Sequence, residues 1–357
     1  MCASSMGSVK DLEILRKPTK DKMGAGRFVF SDRYSVFDWG EMPDLIDDKG
    51  AALCMMGAYC FERLEEEGIK THYRGLVAKN GEALGFDELE EPSNVMEIKL
   101  VNVYKPRLVA YEGKLCHDYK VYTPHLRNCL IPLEIIYRNG LPEGSSVFKR
   151  LEQGLVTYRQ LGLDHYPKAG EKFKKPVLDV STKLEERDRY VTWEEAKGMA
   201  GLTYGEVVGI EDLLLKVNET ITRIAAKAGL VNEDGKIELA FDSSRRLMVI
   251  DVVGTLDECR FTYNGLHVSK EIARKYYKKT EWYRDVEEAK KTAETKGIAD
   301  WKSICKSQPP RLDIQLKKTI GEMYMTVANE TTNRNLFNVP HLKEIIEKYR
   351  EYEVEKK

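Results

Sequence analysis

Glu238 and Asp251 stand on either side of the polar stretch DSSR, within KIELAFDSSRRLMVID. Ile237, Leu239 and Phe241 alternate with Lys236 and Glu238, the period of a half-buried strand, and LMVIDVV reads as the returning strand. A turn centred between Ser244 and Arg245 sets Glu238 opposite Asp251, with Cβ atoms about 5 Å apart on one face. Like charges that close repel, so the pairing needs a reason. A divalent cation is one: Mg²⁺ is held by one or two carboxylates together with substrate phosphates. A solvated sheet face, or a register displaced by one residue, reads from the same pattern.

A second strand carries further candidates. In IPLEIIYRN, Ile131, Leu133 and Ile135 share one face, and Glu134, Ile136 and Arg138 the other. Glu134 and Arg138 are four residues apart, roughly 13 Å along a strand, so each needs its own partner. GLPEGSSVFKRL follows, a Gly/Ser turn entering a helix whose first amides suit a phosphate.

Other segments serve as scaffold. Residues 51 to 67 read as a helix with Leu53, Met56, Cys60 and Leu64 at helical spacing and Gly68 as its stop. Ile210, Leu214, Val217, Ile221, Ile224 and Ala228 form the apolar stripe of a long helix ending at Gly229. NVMEIKLVNVY reads as a strand, residues 11 to 30 as irregular basic sequence entering a strand at RFVFSD, and MCASSMGSVK as an unstructured lead-in. Beyond Tyr276 the chain reads as charged helices broken at SQPPRLD. Strands mixed with helices, without regular βαβ alternation, predict an α+β fold.

Composition narrows the class. With 357 residues, 42% hydrophobic residues and a net charge of −1, the chain predicts a globular protein of two or three lobes without a general nucleic-acid footprint. No apolar stretch approaches the roughly 18 residues of a membrane helix. The seven cysteines are scattered without CxxC, and the six histidines form no metal-ligand spacing, which predicts a reducing, cytoplasmic setting. Cys54 and Cys60 fall on an apolar helix face and read as core.

Seven segments in order resemble the SAICAR synthetase family (phosphoribosylaminoimidazole-succinocarboxamide synthase) over roughly residues 12 to 275. SDRYSVFD resembles its SDRxSAFD, and IDDKG its IPGKG. IPLEIIYRN with GSSVFKR resembles IPVExxVRN with GSxxKR, and STKLEERDRY resembles STKxxxxHDE. DGKIE resembles DxKxE, DVVGTLDECRF resembles DExxTPDSSRFW, and SKEIARKYY resembles SKQFxRDY.

The resemblance implies a two-lobed α+β fold with antiparallel sheets, an ATP and substrate cleft between the lobes, and added C-terminal helices. It implies a nucleotide-binding lobe over 1–130 with an insertion near 102–129, a substrate- and metal-binding lobe over 131–275, and a helical extension over 276–357. The implied reaction is ATP- and Mg²⁺-dependent amide formation between L-aspartate and carboxyaminoimidazole ribonucleotide through an acyl phosphate. Its partners are small molecules, a phosphorylated ribonucleotide and an amino acid, with no nucleic acid and no membrane. The amphipathic tail helices leave a homo-oligomer open.

By the same resemblance, Lys236, Asp234 and Arg138 are catalytic, and Glu238 and Asp251 hold the metal. Lys20, Lys22, Lys99 and Lys236 contact the nucleotide. Arg138, Ser145 and Arg260 bind the ribonucleotide and its phosphate, with Glu134 beside them and Lys270 and Arg274 over the phosphate pocket. Lys183 and Asp188 grip the imidazole or the amino acid, and Asp38 and Lys49 close the amino-acid side.

Several positions depart from the family pattern. The glycine-rich GKxRDxY turn is matched to LRKPTKDKMGAGRF, where Arg16, Lys17, Lys20 and Lys22 supply charge and Gly24 and Gly26 a backbone cradle. Val252 stands where Glu is expected, Arg187 replaces the His of HDE, Cys259 replaces a Ser, and Trp39 is unusual. These departures leave two alternatives: a ligase using another amine or heteroaryl carboxylate, or a non-catalytic nucleotide-binding protein.

Overall fold

The computed structural model describes residues 3–111, 114–186, 188–268, 270–298 and 300–356. Arg187 lies outside the described residues. The first sheet is antiparallel and six-stranded. It contains β1 (Ala3–Met6), β2 (Lys10–Arg16), β3 (Gly24–Phe30), β4 (Tyr73–Val77), β5 (Ala83–Leu84) and β6 (Val95–Leu100), in the order β1-β2-β3-β6-β4-β5. Helix α1 (Lys49–Glu66) follows β3. A separate hairpin, β7 (Arg107–Tyr111) with β8 (Lys114–Asp118), occupies the expected insertion.

The second sheet holds β9 (Cys129–Leu141), β10 (Glu171–Thr182), β11 (Val231–Phe241), β12 (Leu247–Ile250), β13 (Cys259–Tyr263) and β14 (Leu266–His267). Its order is β10-β9-β11-β13-β14, with β12 paired to β11. Between these strands come α2 (Ser146–Glu152), α3 (Trp193–Met199) and α4 (Tyr204–Lys227). The chain then turns helical: α5 (Glu271–Tyr277), α6 (Glu281–Lys296), α7 (Ile314–Thr332) and α8 (Leu342–Glu355). The architecture is α+β, as the irregular alternation of elements predicts.

The helices explain the core. Thr203 and Glu206 form a capping box that starts α4, and Gly229 at φ 66° ends it. The stripe Ile210, Leu214, Val217, Ile221 and Ile224 is buried, and α4 packs on the apolar backs of β9 and β11. Helix α1 is buried on nearly every side, Cys54 and Cys60 included, between the first sheet, α4 and α7. One hydrophobic cluster runs through both sheets and these helices. The sheets also join directly: the His72 amide donates to Val249 O at 3.0 Å, and the Val249 amide to Lys70 O at 2.9 Å.

Two local expectations are corrected. Residues 3–16 are a hairpin, with Ala3 opposite Ile14 and Met6 opposite Asp11. Leu12 and Ile14 pack on the core, an alternation hidden by the lysine-rich loop after it. In the β11–β12 hairpin, Glu238 lies opposite Ile250 rather than Asp251. Asp242 is the reason. Its Oδ1 accepts from the Ser244 and Arg246 amides at 2.8 and 2.9 Å, and Arg245 adopts φ 58°. A turn closed by a left-handed residue adds one position and moves the register by one.

Candidate active site

The period of two puts the polar residues of the second sheet on one face. Arg138 is opposite Asp234, Ile136 opposite Lys236, and Glu134 opposite Glu238 on β9 and β11. Arg260 on β13 flanks Asp234, and Ser181 on β10 flanks Glu134. At the other end Leu130, Ala240, Met248 and Ile250 form a small apolar floor, with Met23, Val101 and Leu184 packed on it. The face therefore grades from apolar through acidic to basic. A cavity of about 570 Å³ opens over the polar part, lined by Glu134, Arg138, Asp188, Asp234, Lys236, Arg260, Lys270 and Arg274 together with Ser8, Val9, Asp38, Asp257 and Glu258.

The carboxylate that directly opposes Glu238 is Glu134, and Lys183 resolves that repulsion. Its Nζ lies 3.2 Å from Glu134 and also pairs with Glu238. Lys236 Nζ is 2.7 Å from Glu134 and 3.4 Å from Glu258. Asp251 follows β12 with a left-handed backbone at φ 63°. Burial and the Asp251 charge together raise the Glu238 carboxyl above its ordinary range. Asp251 is itself held low: burial would raise it, but Lys10, at 2.8 Å, together with Lys183 and Lys236 outweighs that effect.

At the basic end Arg138 is buried. Its guanidinium donates to Asp179 at 3.1 Å, Asp234 at 3.4 Å and the Tyr190 hydroxyl at 3.3 Å. Arg260 Nε donates to Asp234 Oδ1 at 2.8 Å, and its second nitrogen completes the fork on the same carboxylate. Burial lowers the half-buried Lys270 ammonium below its ordinary value, and Asp257 opposes that shift. Asp188 stands at the rim. Desolvation by the cleft and then the Glu134 charge push its carboxyl up to about 6.

Some expected residues lie elsewhere. Lys20 and Lys22 occupy the β2–β3 loop, tied to the insertion by Thr19 O, which accepts from Asn102 and Asn128, and do not line the cavity. Gly24 and Gly26 serve strand packing: an added Cβ would sit 2.3 Å from Arg16 O and 2.7 Å from Glu13 O. GSVKDLE, one hairpin earlier, resembles the GKxRDxY pattern at Gly7 and Asp11, with Ser8 in place of its Lys, Lys10 in place of its Arg and Glu13 in place of its Tyr. A Cβ at Gly7 would meet Lys10 O at 2.4 Å, and Ser8 and Val9 line the cavity. Lys49 is fully buried and pairs with Asp257 at 2.7 Å, so it supports the wall and does not face the cavity. Ser145 caps α2; the next residue, Ser146, lines the cavity and shares a 2.9 Å hydrogen bond with Tyr190 OH. Lys99 donates to Thr71 O at 3.3 Å, beside His72 and outside the cavity lining.

Lys10, His72, Ser146, Tyr190, Asp257 and Glu258 belong to this cleft or its support but lack a role in the sequence reading. Lys10 was legible in the GSVKD string, and Asp257 and Glu258 in TLDECR. Val252 is buried against Gly57 of α1, 3.1 Å from where a Cβ would stand, so an apolar residue suits the position. Cys259 is buried 3.3 Å from Tyr137 OH.

The sequence model of the family described as SAICAR synthetase matches residues 15–291. A protein of Archaeoglobus fulgidus, provisionally named phosphoribosylaminoimidazole-succinocarboxamide synthase, is 49% identical over 346 residues, 97% of this chain and 99% of that one. The phosphoribosylaminoimidazole-succinocarboxamide synthase of Thermoplasma volcanium is 34% identical over 70% of this chain and 77% of that one. Among solved structures, the SAICAR-synthase from Saccharomyces cerevisiae complexed with SAICAR shares the fold, with a TM-score of 0.60 at 18% identity over 93% of this chain and 95% of that one. A SAICAR synthetase in complex with ADP shares it with a TM-score of 0.54 at 21% identity, over 87% of this chain and all of that one. On the sequence match and the two relatives, this chain belongs to the SAICAR synthetase family.

Proposed function

We propose that the protein is an ATP-dependent carbon–nitrogen ligase that joins L-aspartate to carboxyaminoimidazole ribonucleotide in cytoplasmic purine synthesis. The observation that carries this reading is the graded face of β9 and β11: apolar floor, paired carboxylates, then lysine and arginine forks. The floor of Leu130, Ala240, Met248 and Ile250 suits an adenine ring. The phosphates then run toward Lys10, Lys183 and Lys236, and Arg138 and Arg260, both held in place by Asp234, supply positive charge for the ribonucleotide phosphate. On this reading residues 1–130 and 131–275 supply opposite sides of the cleft, and 276–357 buttress it.

Glu238 and Asp251 fit Mg²⁺. They are hard oxygen donors, and the Asp251 charge that raises the Glu238 carboxyl is a repulsion that a divalent cation would relieve. Bound there, Mg²⁺ would neutralise charge developing on the transferring phosphate. Among the described residues no group of three or more His, Cys, Asp or Glu could hold a metal, so phosphate and water oxygens would fill the remaining positions.

The chemistry needs no covalent enzyme intermediate. A ring-carboxylate oxygen attacks the γ-phosphorus, the bond to the bridging oxygen breaks, and ADP departs. The aspartate nitrogen attacks the acyl carbon, phosphate leaves, and the nitrogen loses a proton. Asp188, with its carboxyl near 6, sits at the rim where such a proton can be accepted. Lys236 and Lys183 stabilise the charge that develops between the reactants. The experiment is ADP release by the purified protein with Mg²⁺-ATP and the ribonucleotide, with and without L-aspartate. Aspartate-dependent ADP with a succinocarboxamide mass is expected. ADP release with a different amine would select the alternative ligase, and ribonucleotide binding without turnover would defeat both.

A further inference from the structure

Phe37 and Asp38 are consecutive non-glycine residues in the left-handed region, at φ 56° and 60°. A bulky L residue such as Phe37 rarely holds that conformation unless its surroundings impose it. Both line the substrate cavity. The groups packed on this turn come from the far end of the chain.

The Phe37 ring centroid lies 4.7 Å from that of Tyr283 and 6.1 Å from that of Trp282. Trp39 meets Trp282 at 5.4 Å and Trp301 at 5.8 Å, both edge to face. Lys290 Nζ sits 2.8 Å from Asp38 Oδ2 and 5.0 Å from the Trp301 ring centroid. Upstream of the turn, Tyr34 OH shares a 2.7 Å hydrogen bond with Tyr277 OH, which donates to Pro310 O at 3.0 Å. Downstream, Asp44 accepts the Leu312 amide at 2.7 Å. The loop over residues 34–44 is thus pinned at its start, tip and end by residues 277–312. The family match stops at residue 291, inside α6, so Trp301 and the contacts beyond it are outside the shared sequence pattern.

We propose that Trp282, Trp301 and Lys290 are positioning residues: the C-terminal helices hold the Phe37–Asp38 turn in its left-handed form as a wall of the substrate cavity. Trp39 is explained by the same packing. An aromatic ring after Asp38 inserts between Trp282 and Trp301 and fixes the direction in which the turn leaves the cavity. Lys290 adds a charge-assisted bond at the one side chain of the turn that reaches solvent. The consequence for substrate rests on the ligase reading; the consequence for the turn does not.

Hydrogen exchange of the peptide spanning residues 34–42 reads the turn without turnover. It contains the Trp39 and Met42 amides, each bonded at 3.2 Å, to Val36 O and Tyr34 O. In full-length Lys290→Met and Trp301→Leu, exchange of this peptide is expected to rise about tenfold while α4 keeps its protection. Trp301→Phe, which keeps a ring, should restore most of it. In the ligase assay the two disruptive variants should raise KM for the amine substrate at least about fivefold and leave KM for ATP within about twofold. Unchanged exchange in 34–42 overturns the proposal, and so does exchange that rises equally in α4, since that is general destabilisation. If the wild type shows no turnover, the ligase reading fails and the exchange result alone decides whether the helices hold the turn.

Discussion

Lys10 Nζ lies 2.8 Å from Asp251 and so joins the start of β2 to the end of β12. On the proposed ligase reading this contact closes the phosphate end of the cleft. Burial works against the Lys10 ammonium, but Asp251, Glu258 and Glu238 more than offset it and keep the lysine charged. Triphosphate oxygens offer Lys10 the same charge as Asp251 does and leave the carboxylate free for a cation. Lys10→Met should raise KM for ATP about 10- to 100-fold and have little effect on KM for the ribonucleotide, since one charge-assisted hydrogen bond is worth about 1.5–3 kcal/mol. Steady-state kinetics with each substrate varied in turn checks this. An equal effect on both would place Lys10 outside the nucleotide site.

Removing either of the two carboxylates proposed to hold Mg²⁺ should be more damaging. Glu238→Gln and Asp251→Asn keep the shape and remove one charge each. Activity at saturating ATP should fall about 100-fold, the scale of losing one electrostatic stabiliser of the transferring group. The Mg²⁺ concentration for half-maximal rate should rise in both. A magnesium titration that stays where the wild type has it would exclude these two side chains as metal ligands.

Arg260 grips Asp234 with both arms of its fork. Arg260→Lys keeps the charge and loses the planar geometry. KM for the ribonucleotide should rise about tenfold or more, with KM for ATP unchanged. Binding of the ribonucleotide measured by calorimetry should weaken by the same factor, which separates a ground-state contact from one made only in the transition state.

His72 supplies a pH signature of stability. It is buried, its Nε2–H donates to Asp251 O at 3.0 Å, and burial pushes its pKa down to about 4. An unfolded histidine titrates near 6.5. Between those values the unfolded chain binds a proton that the folded chain does not, so stability falls as pH drops from about 6.5 toward about 4 and is complete above that window. The loss from this residue is of order 3 kcal/mol by about pH 4. Denaturant unfolding of wild type and His72→Gln at pH 7 and pH 4.5 tests it. The variant should show a shallower decline, and parallel declines would assign the acid lability to other groups.

The local pattern of the chain determined which residues could share a surface. Strict alternation along IPLEIIYRN and DGKIELAF put Glu134, Arg138, Asp234, Lys236 and Glu238 on one face, and they are there in the fold. The stripe of α4 likewise determined its buried side. These features are periodic, and periodicity follows from backbone geometry within a few residues. Register and reach were settled only by the tertiary structure. A single side chain, Asp242, moved the hairpin by one position, so that Ile250 rather than Asp251 stands opposite Glu238. Lys49 has the type and place of a substrate ligand, yet the packing of α7 spends it on Asp257: Tyr324 OH donates to the other oxygen of that carboxylate at 2.6 Å. Trp39, in the sequence only a departure from the family pattern that leaves another amine open, packs on Trp282 and Trp301, more than 240 residues away along the chain. Contacts at that separation depend on how whole elements dock, and the spacing of neighbouring residues carries no trace of them.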